Sequence, residues 1–369
     1  MSSITAISTA ELLRALSLRD LTDPSAGPHA MQLVVSAITS SLPGPVHVHR
    51  ASPIVPVEDN YDALGYPSDG AARDARYTRY VCATALLRSQ TSAMIPPLLR
   101  ALAAAPPRDV LLACPGLVYR RDVIDRLHVG EPHQLDLWRI ADRALTEADL
   151  DEMIAAVVGA ALPGARWRTE PAMHPYTTHG RQIDVDVDGE WVEIGECGLA
   201  SPRLLAASGL PTHTGLAMGL GLDRLVMLRK GLDDIRLLRA TDPRIASQML
   251  DLAPYRPVSM MPPVRRDLSI VVDAHVLPEQ LGDQVRAALG ARAELVEAVE
   301  ILSETPHEAL PAAAVERLGI APGQLNVLVR VTLRALDRTL THDECNALRD
   351  AIYDAIHRGT AHHYARRTG

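Results

Sequence analysis

The chain has 369 residues, 47% hydrophobic and 22% charged, with 37 basic against 45 acidic side chains for a net charge of −8. That length suggests two or three domains with ample core, and the ordinary balance excludes a disordered or fibrous chain. No apolar run approaches the roughly 18 residues a membrane span needs, and the acidic balance argues against indiscriminate polyanion binding while leaving room for a local basic stripe. The N-terminal stretch MSSITAISTAELLRALSLRDL lacks the basic start, apolar centre and cleavage site of a signal peptide; its alternating leucine and charge predict a short amphipathic helix. Pro24, Gly27 and Pro28 then mark turns. Residues 31–42 have helical periodicity, and VHVHRASPIVPVEDN reads as extended chain broken by prolines. Residues 84–104 predict a strand, a turn at Thr91 and Ser92, and a helix with Pro96 and Pro97 in its first turn.

Farther along, PRDVLLACPGLVYRRD predicts two short strands around Pro115 and Gly116. Residues 145–162 form an amphipathic helix with Thr146 as its N-cap. ARWRTEP, QIDVDVDG and WVEIGECG read as strands, the second with Ile183, Val185 and Val187 turned to the core and Asp184, Asp186 and Asp188 to water. GLAMGLGLDRLVMLRKG is a strand passing into a helix through glycines, and Pro254, Pro257, Pro262 and Pro263 mark a linker. Residues 264–369 then read strand, helix, strand, loop, strand, helix and a last strand, the βαββαβ order of a ferredoxin-like fold. The four cysteines (Cys82, Cys114, Cys197 and Cys345) are scattered without a CxxC pair. Neither a zinc site nor a disulfide framework is expected, and a reducing cytoplasm fits.

Two segments carry candidate chemistry. In VYRRDVIDRLHVGEPHQLDLW, Arg120 and Asp122 end an apolar strand on one face, followed closely by His128, Glu131, His133, Gln134 and Asp136. A guanidinium there can hold a phosphate or carboxylate bidentately, and a carboxylate can accept from an adenine amino group. The bland alternative is a solvated charged hairpin. In GLGLDRL, glycines at 219 and 221 allow close approach of a ligand to the backbone, and Arg224 falls in the first turn of a helix. By itself that motif is equally a tight turn.

Taken together, the segments resemble motifs 2 and 3 of class II aminoacyl-tRNA synthetases, specifically the phenylalanyl family. LLRSQTS, GLVYRRD with His133 and Gln134, WVEIGECG, GLAMGLGLDRLVML, DDIRLLRATDPRIASQ and DNYDALGYP all resemble that family, in the family's order. PVRRDLSIVVD, LVEAVEIL and DRTLTHDE resemble its ferredoxin-fold anticodon-binding domain. The resemblance covers roughly residues 28–369. It implies an α+β fold: a class II antiparallel sheet flanked by helices, then the βαββαβ domain. The expected division is a leader over 1–28, a catalytic domain over 29–245, a linker over 246–263 and the anticodon-binding domain over 264–369. The single-chain organellar form is the nearest architecture, which implies a monomer, with a homodimer through motif 1 as the alternative.

The resemblance implies ATP-dependent charging of tRNA, foremost tRNA-Phe with phenylalanine, with ATP and Mg2+ and no membrane partner. Arg120 would bridge the substrate carboxylate and the α-phosphate, and Arg224 would hold the γ-phosphate. Asp122 would read adenine, with Pro132 standing where the family commonly has a stacking aromatic and His128 near the phosphates. Ser92, Gln134 and Asp136 would orient the amino acid and Glu193 would line the site, with no metal ligand assigned. The ring pocket departs from the family: FPFT is replaced by His174, Pro175, Tyr176 and Thr177, and FAFG by Leu216, Ala217, Met218 and Gly219. His174, Tyr176, Ala217 and Met218 are therefore the expected ring contacts. The whole chain contains no phenylalanine. Either the substrate is a more polar aromatic amino acid, or phenylalanine was removed throughout and the pocket followed. Non-catalytic tRNA binding and adenylation for another pathway are the remaining alternatives, and retention of Arg120 and Arg224 argues against the first of these. Arg265, Arg266, Arg338 and the terminal HRGTAHHYARR are candidate tRNA contacts.

Overall fold

A computed structural model describes residues 6–362 apart from 259–260 and 274–275. The chain divides into two compact units. The first comprises residues up to Arg120, Glu131–Leu232 and Ser247–Tyr255, and the second Arg121–Gly130, Asp233–Ala246 and the residues from Arg256 on.

In the first unit the strands are β1 (Val46–Val48), β2 (Ile54–Pro56), β3 (Tyr80–Cys82), β4 (Ala85–Leu87), β5 (Asp109–Leu117), β6 (His133–Ala141), β7 (Trp167–Pro171), β8 (Thr177–Val187), β9 (Glu190–Ala200) and β10 (Thr214–Gly221). Its helices are α1 (Thr9–Leu16), α2 (Ala30–Ser41), α3 (Ile95–Leu102), α4 (Glu147–Ala161), α5 (Pro202–Ala207) and α6 (Leu222–Lys230). Among the described residues seven strands form one sheet in the order β1-β5-β6-β10-β9-β8-β7. It is antiparallel throughout except where β1 runs parallel to β5.

The elements follow local chemistry. The predicted leader helix is α1, closed by a reciprocal cap between Ser8 and Glu11. Thr146 and Asp149 do the same for α4. Gly231 ends α6 in the left-handed conformation at φ 67°, which a glycine enters without steric cost. Lys230, the sequence's one lysine, is buried there, its Nζ donating to the carbonyls of Asp251 (2.9 Å) and Ala253 (2.6 Å).

Two expectations need correction. Residues 109–117 form one strand, not two: Pro115 stays in the ladder opposite Leu135. Asp184 is buried, and the alternation predicted for residues 183–188 breaks there. At this point β9 gains a residue, so that Ile183 opposes Gly195 and Asp184 opposes Glu193. Such a bulge re-aims side chains, and Asp184 is satisfied by Arg168 (3.2 Å) and Gln182 (2.7 Å).

The second unit contains α7 (Pro243–Ala246), β11 (Val264–Asp273), α8 (Pro278–Leu289), β12 (Val296–Pro306), α9 (Ala312–Leu318), β13 (Gln324–Leu333) and α10 (His342–Ile356). Its described strands order as β11-β13-β12, antiparallel, over a core of Leu268, Ile270, Val285, Val329, Leu348 and Ile352. The expected last strand lies mostly outside the described residues. The expected loop between β12 and β13 contains α9, which Pro311 opens and Gly319 closes. Residues 121–130 belong to this unit. Arg286 donates to the carbonyls of Asp122 and Val123 (2.6 Å each), Arg121 pairs with Asp283, and the Val299 amide donates to the Ile124 carbonyl at 2.9 Å.

Two measurements check the capping chemistry. Thr146→Ala lowers stability by about 1 kcal/mol in denaturant unfolding. Asp149, held at about 2 by the Thr146 amide, and Glu344, held at about 2 by Arg338 and the Thr341 amide, have depressed folded pKa values. Their contribution is therefore fully present above the ordinary carboxylate range and is lost as pH falls from about 4.5 toward 2. Unfolding midpoints at pH 5 and pH 3 should show this loss, and Asp149→Asn should flatten the first unit's share.

Candidate active site

Cross-strand register assembles one face of the large sheet. Cys114, Asp136, Gly219, Glu196 and Gln182 stand opposite one another on five adjacent strands. Beside that row lie Gly116, Gln134 and Gly221, and on its other side Leu112, Trp138, Ala217 and Gly198. Directly paired residues share a face, so β10 presents only Ala217, Gly219 and Gly221 here. A side chain on Gly219 would meet nothing nearer than Asp136 Oδ2 at 3.9 Å, and one on Gly221 nothing nearer than the Ile194 carbonyl at 3.9 Å. The glycines thus leave a bare trough across the sheet.

Asp136 stands beside this trough, fully buried. Its Oδ2 accepts from Thr91 Oγ1 (2.7 Å), and its Oδ1 from Ser92 Oγ (2.9 Å) and Trp138 Nε1 (3.2 Å). Burial pushes its pKa up, and the three donors oppose that shift. A carboxylate offers about four acceptor sites. One therefore remains on Oδ2, the oxygen nearest the bare floor. Gln134 Oε1 accepts from the Thr91 amide at 3.2 Å, tying the same turn to β6.

The wall is aromatic. The Tyr176 ring lies 6.0 Å from Trp138, 6.1 Å from His174 and 6.4 Å from Tyr66. Tyr66 donates to Gln90 Oε1 (3.0 Å), Gln90 donates to the Asn60 carbonyl (2.9 Å), and burial pushes the Tyr66 phenol up to about 12. Asn60 and Tyr61 lie on a wide turn over Glu58–Asp62, in the stretch DNYDALGYP. His174 Nε2 lies 2.7 Å from Glu196 Oε2, placing a second carboxylate across Gly219 from Asp136.

The arginines leave the sheet at one end. β5 and β10 both run antiparallel to β6, with Leu117 opposite His133 and Gly221 opposite Gln134. Arg120 and Arg224 thus each follow by three residues a strand that ends beside the start of β6, with the two strands about 10 Å apart. Arg120 Nε is buried without a hydrogen-bond partner. Arg224 donates to the Glu193 carbonyl at 2.9 Å, at the β9 bulge. Burial, then the charge of Glu196, raises the Glu193 pKa. Pro132 sits just before β6, its carbonyl accepting from the Val118 amide at 2.9 Å.

The expected residues do not all share these surroundings. Met218 alternates to the opposite face from Ala217, so of that pair Ala217 alone lines the trough. Asp122 and His128 belong to the second unit, where Asp122 Oδ1 accepts from the Val123 amide (2.9 Å) and His128 Nδ1 lies 2.8 Å from Asp125. His133 is scaffold: its Nε2 accepts from the Leu21 amide (3.0 Å) and its Nδ1 faces Asp223 (3.2 Å). Sequence reading missed Glu196, Tyr66, Gln90 and Trp138. The period-two pairing across β6, β10 and β9, which is invisible without the register, is what sets Trp138 and Glu196 on the face of the site, whereas Tyr66 and Gln90 lie within DNYDALGYP and LLRSQTS, two segments that the resemblance already marks.

Residues 25–249 match the tRNA synthetases class II core domain (F), and residues 259–363 match the ferredoxin-fold anticodon binding domain. The chain is similar to the phenylalanine--tRNA ligase alpha subunit of Prochlorococcus marinus (strain MIT 9313), at 36% identity over 51% of this chain and 56% of that protein. The alpha subunit of Nitratidesulfovibrio vulgaris is 32% identical over 66% of this chain and 77% of that protein. The chloroplastic/mitochondrial phenylalanine--tRNA ligase of Arabidopsis thaliana is 27% identical over 83% of this chain and 70% of that protein. The chain spans only slightly more than half the length of the first of these relatives.

The glycines make a paired prediction. Gly219→Ala leaves the melting temperature of the protein essentially unchanged, because its methyl would make only an ordinary contact, with Asp136 Oδ2 at 3.9 Å. Gly195→Ala, whose methyl would collide with the Gly219 carbonyl oxygen, lowers stability by about 1–3 kcal/mol. Thermal melts of the two purified variants separate a bare floor from a packed one.

Proposed function

Because the chain belongs to the class II tRNA synthetases of the phenylalanine--tRNA ligase family, we propose that it charges tRNA-Phe with phenylalanine through an aminoacyl-adenylate. The observation that carries this reading is the bare Gly219–Gly221 floor between Asp136 and the strand ends that deliver Arg120 and Arg224. In the first step a carboxylate oxygen of the amino acid attacks the α-phosphorus of ATP, and pyrophosphate leaves in line. No enzyme nucleophile is required; positioning and charge stabilisation supply the rate.

The amino acid's ammonium group would meet Gln134 and the remaining acceptor site of Asp136, whose position Ser92 and Thr91 fix. Its ring would lie over Ala217 against Tyr176 and His174, with Trp138 and Tyr66 behind. The unpartnered Nε of Arg120 supports a role in bridging carboxylate and α-phosphate, and Arg224 would hold the γ-phosphate while braced on Glu193. Pro132 would underlie the base. Among the described residues no three His, Cys, Asp or Glu side chains gather for a metal. Magnesium takes one or two carboxylates together with substrate phosphates and, when bound, would neutralise the triphosphate; Glu193 would supply the protein oxygen.

In the second step a ribose hydroxyl of the terminal adenosine of tRNA attacks the aminoacyl carbonyl and AMP leaves, with the ferredoxin-fold unit reading the anticodon. One chain carries both units, so a monomer would suffice. Among the described residues no helix is long and apolar enough to cross a membrane, and four unpaired cysteines support a reducing compartment such as the cytoplasm.

ATP–pyrophosphate exchange with phenylalanine tests the reading. Arg120→Ala and Arg224→Ala each lower exchange about 100- to 1,000-fold without a matching change in melting temperature. Gly219→Ala weakens exchange although it folds. Strong exchange with another amino acid, and none with phenylalanine, would defeat the proposal.

A further inference from the structure

We propose that this chain is a self-starting charging enzyme: lacking phenylalanine, it can be synthesised after charged tRNA-Phe has run out, and its activity then restores that pool. The inference rests on the charging activity proposed above. An enzyme that charges phenylalanine normally depends on its own product, because one phenylalanine codon stalls its synthesis once the charged tRNA is gone. This sequence has 369 codons' worth of chain, 47% of it hydrophobic, and no phenylalanine.

The buried aromatic positions described in the first unit are filled by other residues. Phenylalanine fills a core without asking for a hydrogen-bond partner, whereas a buried tyrosine must have one. Tyr61, Tyr80 and Tyr119 are all buried. The Tyr61 hydroxyl donates to the Ala72 carbonyl (2.7 Å), that of Tyr80 to the Arg73 carbonyl (2.7 Å) and that of Tyr119 to the Ala15 carbonyl (3.4 Å). The exclusion extends into the ring pocket, where aromatic geometry matters most. There the wall consists of His174, Tyr176, Trp138 and Tyr66, and the His174 imidazole faces Glu196 at 2.7 Å. Core and pocket share the same omission, although only the pocket would respond to a change of substrate.

The test is a reconstituted translation system that contains phenylalanine and tRNA from the organism encoding the chain, but no phenylalanine-charging enzyme. Messenger RNA for this chain is added together with one for a phenylalanine-containing reporter. The expected result is full-length chain first and reporter after a lag. Leu13→Phe and Leu250→Phe, at positions 63% and 50% exposed and outside the site, should drive the reporter as well as the parent when added as purified protein. Added as messenger RNA, they should yield neither enzyme nor reporter. Equal reporter from parent and variant messages would overturn the inference. If purified parent protein drives no reporter, the charging reading itself fails instead. A second readout addresses compositional skew, since the chain also holds a single lysine. When the host's phenylalanine charging is inhibited, this protein's level must rise relative to total protein; a level that stays flat or falls overturns the proposal.

Discussion

The site stands on a buried carboxylate. An ionised group removed from water is costly unless donors replace the lost hydration. Asp136 has three, from Thr91, Ser92 and Trp138. Each of those bonds also fixes something else: the turn over Thr91–Met94, the edge of the trough and the indole that backs the aromatic wall. Gln134 ties the same turn a second time. The carboxylate is therefore a fastener first, and the acceptor site left over gains its direction from the three that are used. Around this point the sheet needs almost no side chain at all, and Ala217, Gly219 and Gly221 leave the room.

The second unit uses its buried charges in a comparable way. Asp234 is fully buried and accepts from Arg236 at 2.6 Å, while Arg334 reaches Glu297 at 2.6 Å. Arg286 spends its guanidinium on two main-chain carbonyls of residues 122 and 123. A close approach accompanies this, since a side chain on Gly282 would come within 2.8 Å of the Asp122 carbonyl oxygen. Residues 121–130 have neither the proline nor the glycine content of a linker, and their fold membership is decided by these hydrogen bonds, which composition does not reveal.

Much of the architecture was legible because it is written in local chemistry. Thr146 with Asp149 announces α4, and Gly219 and Gly221 announce a floor that a ligand can approach. The order of the motifs led to the α+β class and to the ferredoxin-like unit, both of which agree with the family matches. What could not be read depends on register. Asp184 looks solvated by alternation and is buried, because one extra residue in β9 shifts the pairing. Met218 and Ala217 are neighbours in sequence and opposites in space, as strand geometry requires. Glu196 lies in WVEIGECG, but its place in the site follows only from the pairing that sets Gly219 between it and Asp136 and from His174 lying against it.

Lys230 has a consequence of another kind. It is the chain's sole lysine, and its ammonium is enclosed by the carbonyls of Asp251 and Ala253. Every other basic side chain except histidine is a guanidinium, which stays protonated at any biological pH. Acetylation, ubiquitin conjugation and amine-directed crosslinking thus find no accessible lysine on this protein, and its positive charge is placed beyond the reach of acylating enzymes.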